Sequence, residues 1–240
     1  LLLCIFPFEK DWYARRTPNL RVEFVGHPIF DRYAGQSFSS GKNPDRPLIL
    51  LLPGSRRGEL KRHFPVMIAA AERIRTSIGS AVFRAVVPSD ELKTYARTLC
   101  PLPEWMEIQT GQLPQALSGA SLALASTGTV LIECAWFGVP TVAMYKTSWS
   151  TYQIGKRIVQ VKYLSMPNIL ADAEGMPEFV QDAATAENLS RAALEILQDP
   201  VRQKTIQAEL ARIIASLGTP GATQRAAQAI ASLFENNGVK

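Results

Sequence analysis

The chain has 240 residues, 47% of them hydrophobic and 20% charged, which predicts an ordinary globular protein with a sizeable core, in one large domain or one and a half smaller ones. Its 26 basic and 21 acidic side chains give a net charge of +5, which suits anionic ligands or an anionic membrane surface but is too diffuse to indicate nucleic-acid binding. Three widely separated cysteines argue against a disulfide framework and a zinc cluster, and no apolar run reaches the ~18 residues of a membrane-spanning helix.

Strand-like apolar runs alternate with helical patterns from about residue 48 onward, which predicts βαβ units and a parallel sheet. Strands are predicted over 47–53, 81–88, 106–111, 121–126 and 140–146, with 163–170 as a candidate sixth. Helices are predicted between them over 64–78, 89–99, 113–120 and 128–138. The remainder is predicted to be helical over 185–199, 201–217 and 221–236.

A segment rich in Gly, Ser, Pro and charge over 31–47 is the predicted linker. It separates an N-terminal piece, 1–30, from a domain predicted over 48–220. The last helix, 221–240, is predicted as a separate element, and packing against the N-terminal piece is one arrangement that the sequence allows. The predicted fold class is α/β, with a Rossmann-like parallel sheet covered by helices on both faces and followed by C-terminal helices.

The motif "PGSRRGE" follows the first strand of this array. Ligands of open α/β sheets gather at the carboxyl ends of the strands. Gly54 lets the backbone approach a ligand closely, Ser55 offers a hydroxyl, and Arg56 can form paired hydrogen bonds to a phosphate. The alternative is a surface arginine paired with Glu59 or Glu72, and this stretch alone leaves the two interpretations equal.

A second candidate site is "STGTVLIE", where the fourth predicted strand turns into a helix. Hydroxyls and successive amide N–H groups of Thr127, Gly128 and Thr129 would face a ligand above the sheet, and a diphosphate would fit there. Glu133 follows one helical turn later, where its carboxylate can accept hydrogen bonds from the hydroxyls of a ribose. The alternative, compatible with the first, is that a threonine caps the helix and Glu133 forms a local ion pair.

Asn168 follows a proline in the candidate sixth strand, where its amide suits a base edge or a phosphate, although the motif alone favours a turn-stabilising role. His27 is interpreted as structural.

The P-loop, dinucleotide, hydrolase-elbow and zincin motifs are absent from the sequence, and so is a D-x-D pair for a metal diphosphate. Arginine, lysine and backbone dipoles would then meet the charge of a leaving diphosphate.

Six stretches carry a family resemblance. These are "FPFEKDWY", "FVGHPIFD", "LLPGSRRGEL", "STGTVLIECAWFGVPTVAMYK", "YLSMPNILA" and "MPEFVQDAAT". In their order and spacing the chain resembles lipid-A-disaccharide synthase, an inverting glycosyltransferase with the two Rossmann domains of the GT-B fold. The resemblance runs over essentially the whole chain and covers only the second half of the family's length.

The resemblance implies transfer of 2,3-diacylglucosamine from its UDP conjugate to 2,3-diacylglucosamine 1-phosphate, without metal or cofactor. It implies that the UDP-binding positions include Gly128, Asn168 and, as a lesser candidate, Gln181. In this interpretation Arg56 is catalytic and meets the leaving-group charge, the 127–129 loop binds the diphosphate, and Glu133 binds the ribose. Residues 48–220 become the UDP-sugar-binding domain.

Residues 1–30 are then the remnant of an N-terminal domain and a crossover. In the family that domain carries the acceptor contacts, the lipid contacts and the general base. The chain is therefore expected to bind UDP better than it catalyses. Two departures from the family are mild: Thr127 replaces the usual serine, and Val130 replaces a small residue.

Two other functions stay open. One is a different UDP-sugar GT-B enzyme, such as a 2-epimerase or a glucosaminyltransferase, and the other is a non-catalytic module that binds nucleotides or nucleic acid. Basic residues are not clustered with aromatic ones, which argues against nucleic-acid binding.

Because both implied substrates are acylated, we expect a cytoplasmic protein that is peripheral at the inner membrane. Residues 149–164 are a candidate lipid contact, and the alternative for them is an ordinary packed helix. The sequence leaves a homodimer open.

Overall fold

The computed structural model describes residues 1–38, 41–148, 152 and 162–237, with the side chains of the last helix described as far as Phe234. The chain divides into two compact units. One comprises Leu1–Ser37 with Arg212–Lys240, and the other comprises Phe38–Ala211.

A six-stranded, all-parallel sheet forms the centre of the larger unit. Its strands are β3 (Leu48–Leu52), β4 (Val82–Val87), β5 (Met106–Thr110), β6 (Leu122–Ser126), β7 (Thr141–Tyr145) and β8 (Glu178–Val180). In space they follow the order β5-β4-β3-β6-β7-β8, which is the strand order of a Rossmann fold. The predicted fold class is confirmed.

Helices cover both faces of this sheet. They are α3 (Arg57–Ser77), α4 (Asp90–Leu99), α5 (Leu113–Gly119), α6 (Val130–Trp136), α7 (Met166–Ala171) and α8 (Ala186–Leu197). They are followed by α9 (Pro200–Ser216), which contains the boundary between the two units. Because successive side chains of a strand point to opposite faces, Leu50 and Leu52 pack with Leu117, Leu131 and neighbouring small residues in one core cluster below α5 and α6. The opposite face carries α3, which packs against α8.

Strand β3 shows why an uninterrupted apolar run predicted a strand here. Ile49, Leu50 and Leu51 are fully buried, and Leu52 is nearly so. Helices on both faces bury every side chain of such a strand, so that no alternation of polar residues remains. The chain then leaves the sheet at Pro53.

Two predicted elements differ from the structure. The prediction of a strand over 163–170 is wrong: helix α7 begins there, with the Ser165 hydroxyl accepting a hydrogen bond from the Asn168 N–H and a proline in its first turn. The sixth strand is β8, which pairs with β7. Helix α3 begins seven residues before the predicted start and continues through Pro65.

The smaller unit contains β1 (Leu2–Cys4), α1 (Pro7–Arg16), β2 (Val22–Phe24), α2 (Ile29–Tyr33) and α10 (Ala222–Asn237). β1 and β2 form a parallel pair. Helix α2 includes the first three residues of the predicted linker, 31–47. The Asp31 carboxylate accepts hydrogen bonds from the N–H groups of Gly221 and Thr223, at the start of α10.

Arg225 of α10 adds three further bonds inside this unit. Its guanidinium donates to the carbonyl oxygens of Val25, Thr219 and Pro220, at 2.7 to 2.8 Å.

The domain boundaries proposed from the sequence, at 30/31, 47/48 and 220/221, remain predictions. Most of the candidate lipid contact, 149–164, falls outside the described residues. Among those described, no helix combines the length and apolar character needed to cross a membrane.

Candidate functional site

The carboxyl ends of β3 and β6 lie side by side at one edge of the sheet. Leu52 pairs with Ala125 in the register of these two strands. The loops that follow them are the two in which the sequence predicted a diphosphate site, at 54–56 and at 127–129. The topology therefore brings both predicted loops to one rim, at the strand ends where open α/β sheets bind ligands.

The loop after β3 is organised by Glu59, from the first turn of α3. One carboxylate oxygen accepts the Ser55 N–H at 2.8 Å, and the other accepts a guanidinium N–H of Arg56 at 3.0 Å. Gly54 has φ +118°, and a Cβ atom on it would lie 2.7 Å from the Glu59 Cβ. The loop thus presents an amide and a guanidinium to the same anionic group, and here a carboxylate occupies both donors.

The two adjacent arginines have different partners. Arg57 forms an ion pair with Glu91 of α4 at 2.8 Å, and its guanidinium lies over the Tyr95 ring at 5.1 Å. The Arg56 side chain is 81% exposed, at the rim, and pairs with Glu59. The alternative of a local pair with Glu59 therefore holds for Arg56, and its ligand role stays a prediction. Arg57 is bound to α4.

The loop after β6 is the second part of the rim. The Thr127 N–H is still bonded to the Met144 carbonyl of β7, at 3.0 Å, while Gly128 and Thr129 are exposed. Thr129 precedes α6, but its side chain makes no capping hydrogen bond, so the capping alternative does not hold for this residue. Glu133 is half-buried one turn into α6.

Two further strand ends continue the rim on the β7 side. Lys146, which follows β7, donates from Nζ to the carbonyl oxygens of Gln181 and Ala184 at 3.0 and 3.1 Å. The Gln181 side chain accepts the Thr147 N–H at 2.7 Å, and its backbone has φ +51°, a left-handed conformation that is uncommon for a non-glycine residue. Gln181 therefore ties the end of β8 to the end of β7.

Asn168 is buried and fully hydrogen-bonded within its own segment. Its Nδ2 donates to the Met176 carbonyl at 2.7 Å and to the Glu178 carboxylate at 2.6 Å. Its Oδ1 accepts the N–H groups of Gly175 and Met176. An asparagine amide offers two donors and two acceptor positions, and all are in use. These bonds fit the turn-stabilising role that the motif favoured, and Asn168 lies in a helix and not in the predicted strand. Its contact with a nucleotide stays a prediction.

The donor groups of the rim indicate which kind of ligand it suits. The described part of the chain contains no cluster of three or more His, Cys, Asp or Glu side chains placed for metal binding. Among the described residues, cationic groups of the rim include Arg56 and Lys146. The arrangement offers guanidinium, ammonium and amide donors to an anion.

Comparison with known proteins assigns the family. A family model described as Lipid-A-disaccharide synthetase matches residues 1–233. A lipid-A-disaccharide synthase of Solibacter usitatus is 33% identical over 98% of this chain, and one of Gloeothece citriformis is 34% identical over 95% of it. The chain belongs to the lipid-A-disaccharide synthase family. It spans 62% of the length of each of these two relatives.

Solved structures agree with the fold of this family member. A putative UDP-N-acetylglucosamine 2-epimerase from Listeria monocytogenes matches with a TM-score of 0.60 and 19% identity, over 98% of this chain and 60% of its own. WaaG, a glycosyltransferase involved in lipopolysaccharide biosynthesis, matches with a TM-score of 0.58 and 16% identity, over 95% of this chain and 62% of its own. At these identities the likeness concerns the fold alone.

Three rim residues of this lipid-A-disaccharide synthase family member were not among the sequence-predicted site residues: Glu59, His63 and Lys146. Glu59 was considered only as a surface partner of Arg56. His63 and Lys146 contact the rim through backbone groups that are distant in sequence. His63 could have been identified from its position: it is a histidine on the buried face of a helix that begins at a candidate ligand loop.

Proposed function

We propose that this chain is the donor-binding half of a lipid-A-disaccharide synthase. The reaction transfers 2,3-diacylglucosamine from its UDP conjugate to 2,3-diacylglucosamine 1-phosphate, with inversion. Family membership supports the activity. The observation that carries the site assignment is the adjacency of the 54–56 and 127–129 loops at one rim of the parallel sheet.

In the proposed reaction an acceptor hydroxyl attacks the anomeric carbon of the donor as the bond to the UDP oxygen breaks. The hydroxyl proton goes to a general base, which we place in the N-terminal part of the family's length. Negative charge grows on the leaving diphosphate. Arg56 and the amides of the two loops would meet this charge, because preorganised donors stabilise developing charge more strongly than water does.

Glu59 holds the donors that this diphosphate would use. The Ser55 N–H and the Arg56 guanidinium both bind its carboxylate. Nucleotide binding would exchange a carboxylate for a phosphate at these groups. The half-buried Glu133 lies one turn beyond the 127–129 loop, which fits the proposed bonds to the ribose hydroxyls. Gln181 is proposed at the far end of the rim. Asn168 would support the segment without contacting UDP.

The location of the reaction is a further part of the proposal. Both proposed substrates carry acyl chains, so we place the protein at a membrane surface, peripheral on the cytoplasmic side. A homodimer remains a prediction.

Calorimetric titration of the chain with UDP tests the site. Arg56→Ala should weaken UDP binding by about 10- to 100-fold, because a hydrogen bond to a charged group contributes roughly 1.5–3 kcal/mol. Arg57→Ala removes the same charge one residue away, from a side chain bound to Glu91, and should leave the affinity within about twofold. Magnesium should not change either result. Equal affinity of the Arg56→Ala variant and the parent chain would remove Arg56 from the site.

A further inference from the structure

His63 is a fully buried histidine on α3 that the proposed chemistry does not use. Its Nδ1 lies 2.9 Å from the Pro53 carbonyl oxygen, and its Nε2 accepts the Lys146 N–H at 3.0 Å. A carbonyl can only accept and an N–H can only donate. One neutral tautomer, with the proton on Nδ1, therefore satisfies both contacts.

These two contacts join strand ends that are not neighbours. Pro53 follows β3, directly before the loop of Arg56, and Lys146 follows β7. Strand β6 with its 127–129 loop lies between them. Lys146 continues the connection to Gln181 through its Nζ. A single imidazole thus fixes two of the loops that flank the proposed diphosphate position.

We propose that His63 is a positioning residue for nucleotide binding, which holds the Arg56 loop and the Lys146 loop at the spacing that a nucleoside diphosphate requires. This inference rests on the proposed UDP site. His63 is fully buried and acts through the loops that it joins, so it is not a catalytic residue. Its removal should change affinity through the geometry of the rim.

The charge state of His63 follows from its surroundings. Burial lowers the pKa of the imidazole, and the neighbouring Arg62 acts in the same direction; the hydrogen bonds to Pro53 and Lys146 and the charge of Glu59 oppose this. The neutral form is therefore present at pH 7. The Lys146 carbonyl lies 3.1 Å from Nε2, so protonation would replace an accepted hydrogen bond by a donated one and shift the Lys146 peptide.

Three variants of the full chain separate positioning from general stability. His63→Phe keeps a ring of similar size and removes both hydrogen bonds, and it should weaken UDP binding about tenfold. His63→Gln places an amide near the Nε2 position and should recover affinity to within about threefold of the parent. Met67→Ala empties a fully buried position on the same helix; it should lower the melting temperature without changing UDP affinity by more than about twofold.

The pH dependence of UDP affinity is a further test, because a purely structural role of His63 would not change it. The UDP phosphate also titrates near neutrality, so the His63→Gln variant serves to measure the ligand's own contribution. As the pH is lowered below 6.5, the parent should lose more affinity than this variant. In the free protein, the Lys146 amide NMR signal should move with pH below 6.5 in the parent and stay fixed in His63→Gln.

The possible failures are distinguishable. A parent chain that does not bind UDP would overturn the proposed function, and the nucleotide role of His63 with it. A parent that binds UDP while His63→Phe binds equally well would overturn only the role of His63. The same holds if Met67→Ala weakens UDP binding as much as His63→Phe does.

Discussion

Gly54 combines two local requirements at the proposed site. Its backbone has φ +118°, and the position of its missing Cβ is occupied by Glu59. Alanine at this position would have to adopt a strained conformation and displace the carboxylate that holds the Ser55 N–H. The loop of Arg56 therefore depends on this glycine.

We predict that Gly54→Ala destabilises the protein by roughly 1–3 kcal/mol and weakens UDP binding. Urea unfolding and calorimetry measure the two effects. Gly79→Ala is the matched control, because a Cβ there meets nothing within 4 Å and its φ is not positive. The explanation fails if the two alanine variants are equally stable.

At this scale the sequence could identify the loop but not the partner of each arginine. Arg56 and Arg57 are adjacent and chemically identical in the motif. Their difference comes from Glu91 and Tyr95, which α4 places beside Arg57. That information requires the packing of two helices and is absent from the local sequence.

Helix α7 and the start of β8 form one hydrogen-bonded element around Asn168. Besides the bond from Asn168, the Glu178 carboxylate accepts the N–H groups of Leu164 and Ser165, at 2.8 and 2.9 Å. All three of these bonds join groups that are ten or more residues apart. The element is thus held together by hydrogen bonds of the Asn168 and Glu178 side chains.

We predict that Asn168→Ala lowers the free energy of unfolding by roughly 2–4 kcal/mol, because it leaves several buried partners without a hydrogen bond. UDP affinity, measured by calorimetry at a temperature where the variant is folded, should stay within about threefold of the parent. A large loss of affinity in a fully folded variant would instead assign Asn168 to the ligand, as the family resemblance implies.

Apolar runs and the helical spacing of apolar residues were the patterns that predicted elements well. Strands β3, β4, β5, β6 and β7 and the helices α4, α5 and α6 lie where the patterns predicted them. β8 was missed because it has only three residues. The sixth strand was instead predicted over 163–170, because that segment is rich in apolar residues. In that segment the Ser165 cap and the following proline were the stronger signals.

At the scale of the whole chain, Asp31 joins segments separated by 190 residues. Its bonds to the N–H groups of Thr223 and Gly221 lower the pKa of the carboxyl to about 2. A carboxyl whose pKa is lower in the folded state contributes stability above its unfolded pKa of ~3.9. That contribution is lost as the pH falls toward 2.

We predict that Asp31→Asn increases hydrogen exchange in α10 at pH 7, and that the difference from the parent shrinks as the pH is lowered from 4 toward 2. Mass spectrometry of peptides from α10 measures this. Asp45→Asn changes an exposed carboxylate and should leave exchange in α10 unchanged. Equal exchange in the Asp31→Asn variant and the parent at pH 7 would contradict the capping role.

The parallel sheet and its rim were predictable from strand order and loop chemistry, because carboxyl ends of parallel strands share one edge. The contribution of His63 and Lys146 was not, since each acts on backbone groups that only the folded chain brings near. Glu59 was foreseen only as a partner of Arg56, and its bond to the Ser55 N–H was not. Family resemblance supplied the proposed substrates, which neither composition nor periodicity could supply.

A crystal structure of the chain with UDP tests the central claim most directly. We predict the diphosphate above the ends of β3 and β6, bonded to the Arg56 guanidinium and to amides of the 127–129 loop, with Glu59 displaced from Arg56. UDP bound elsewhere, for example in the groove between α3 and α8 that Arg73 and Arg191 line, would contradict the account.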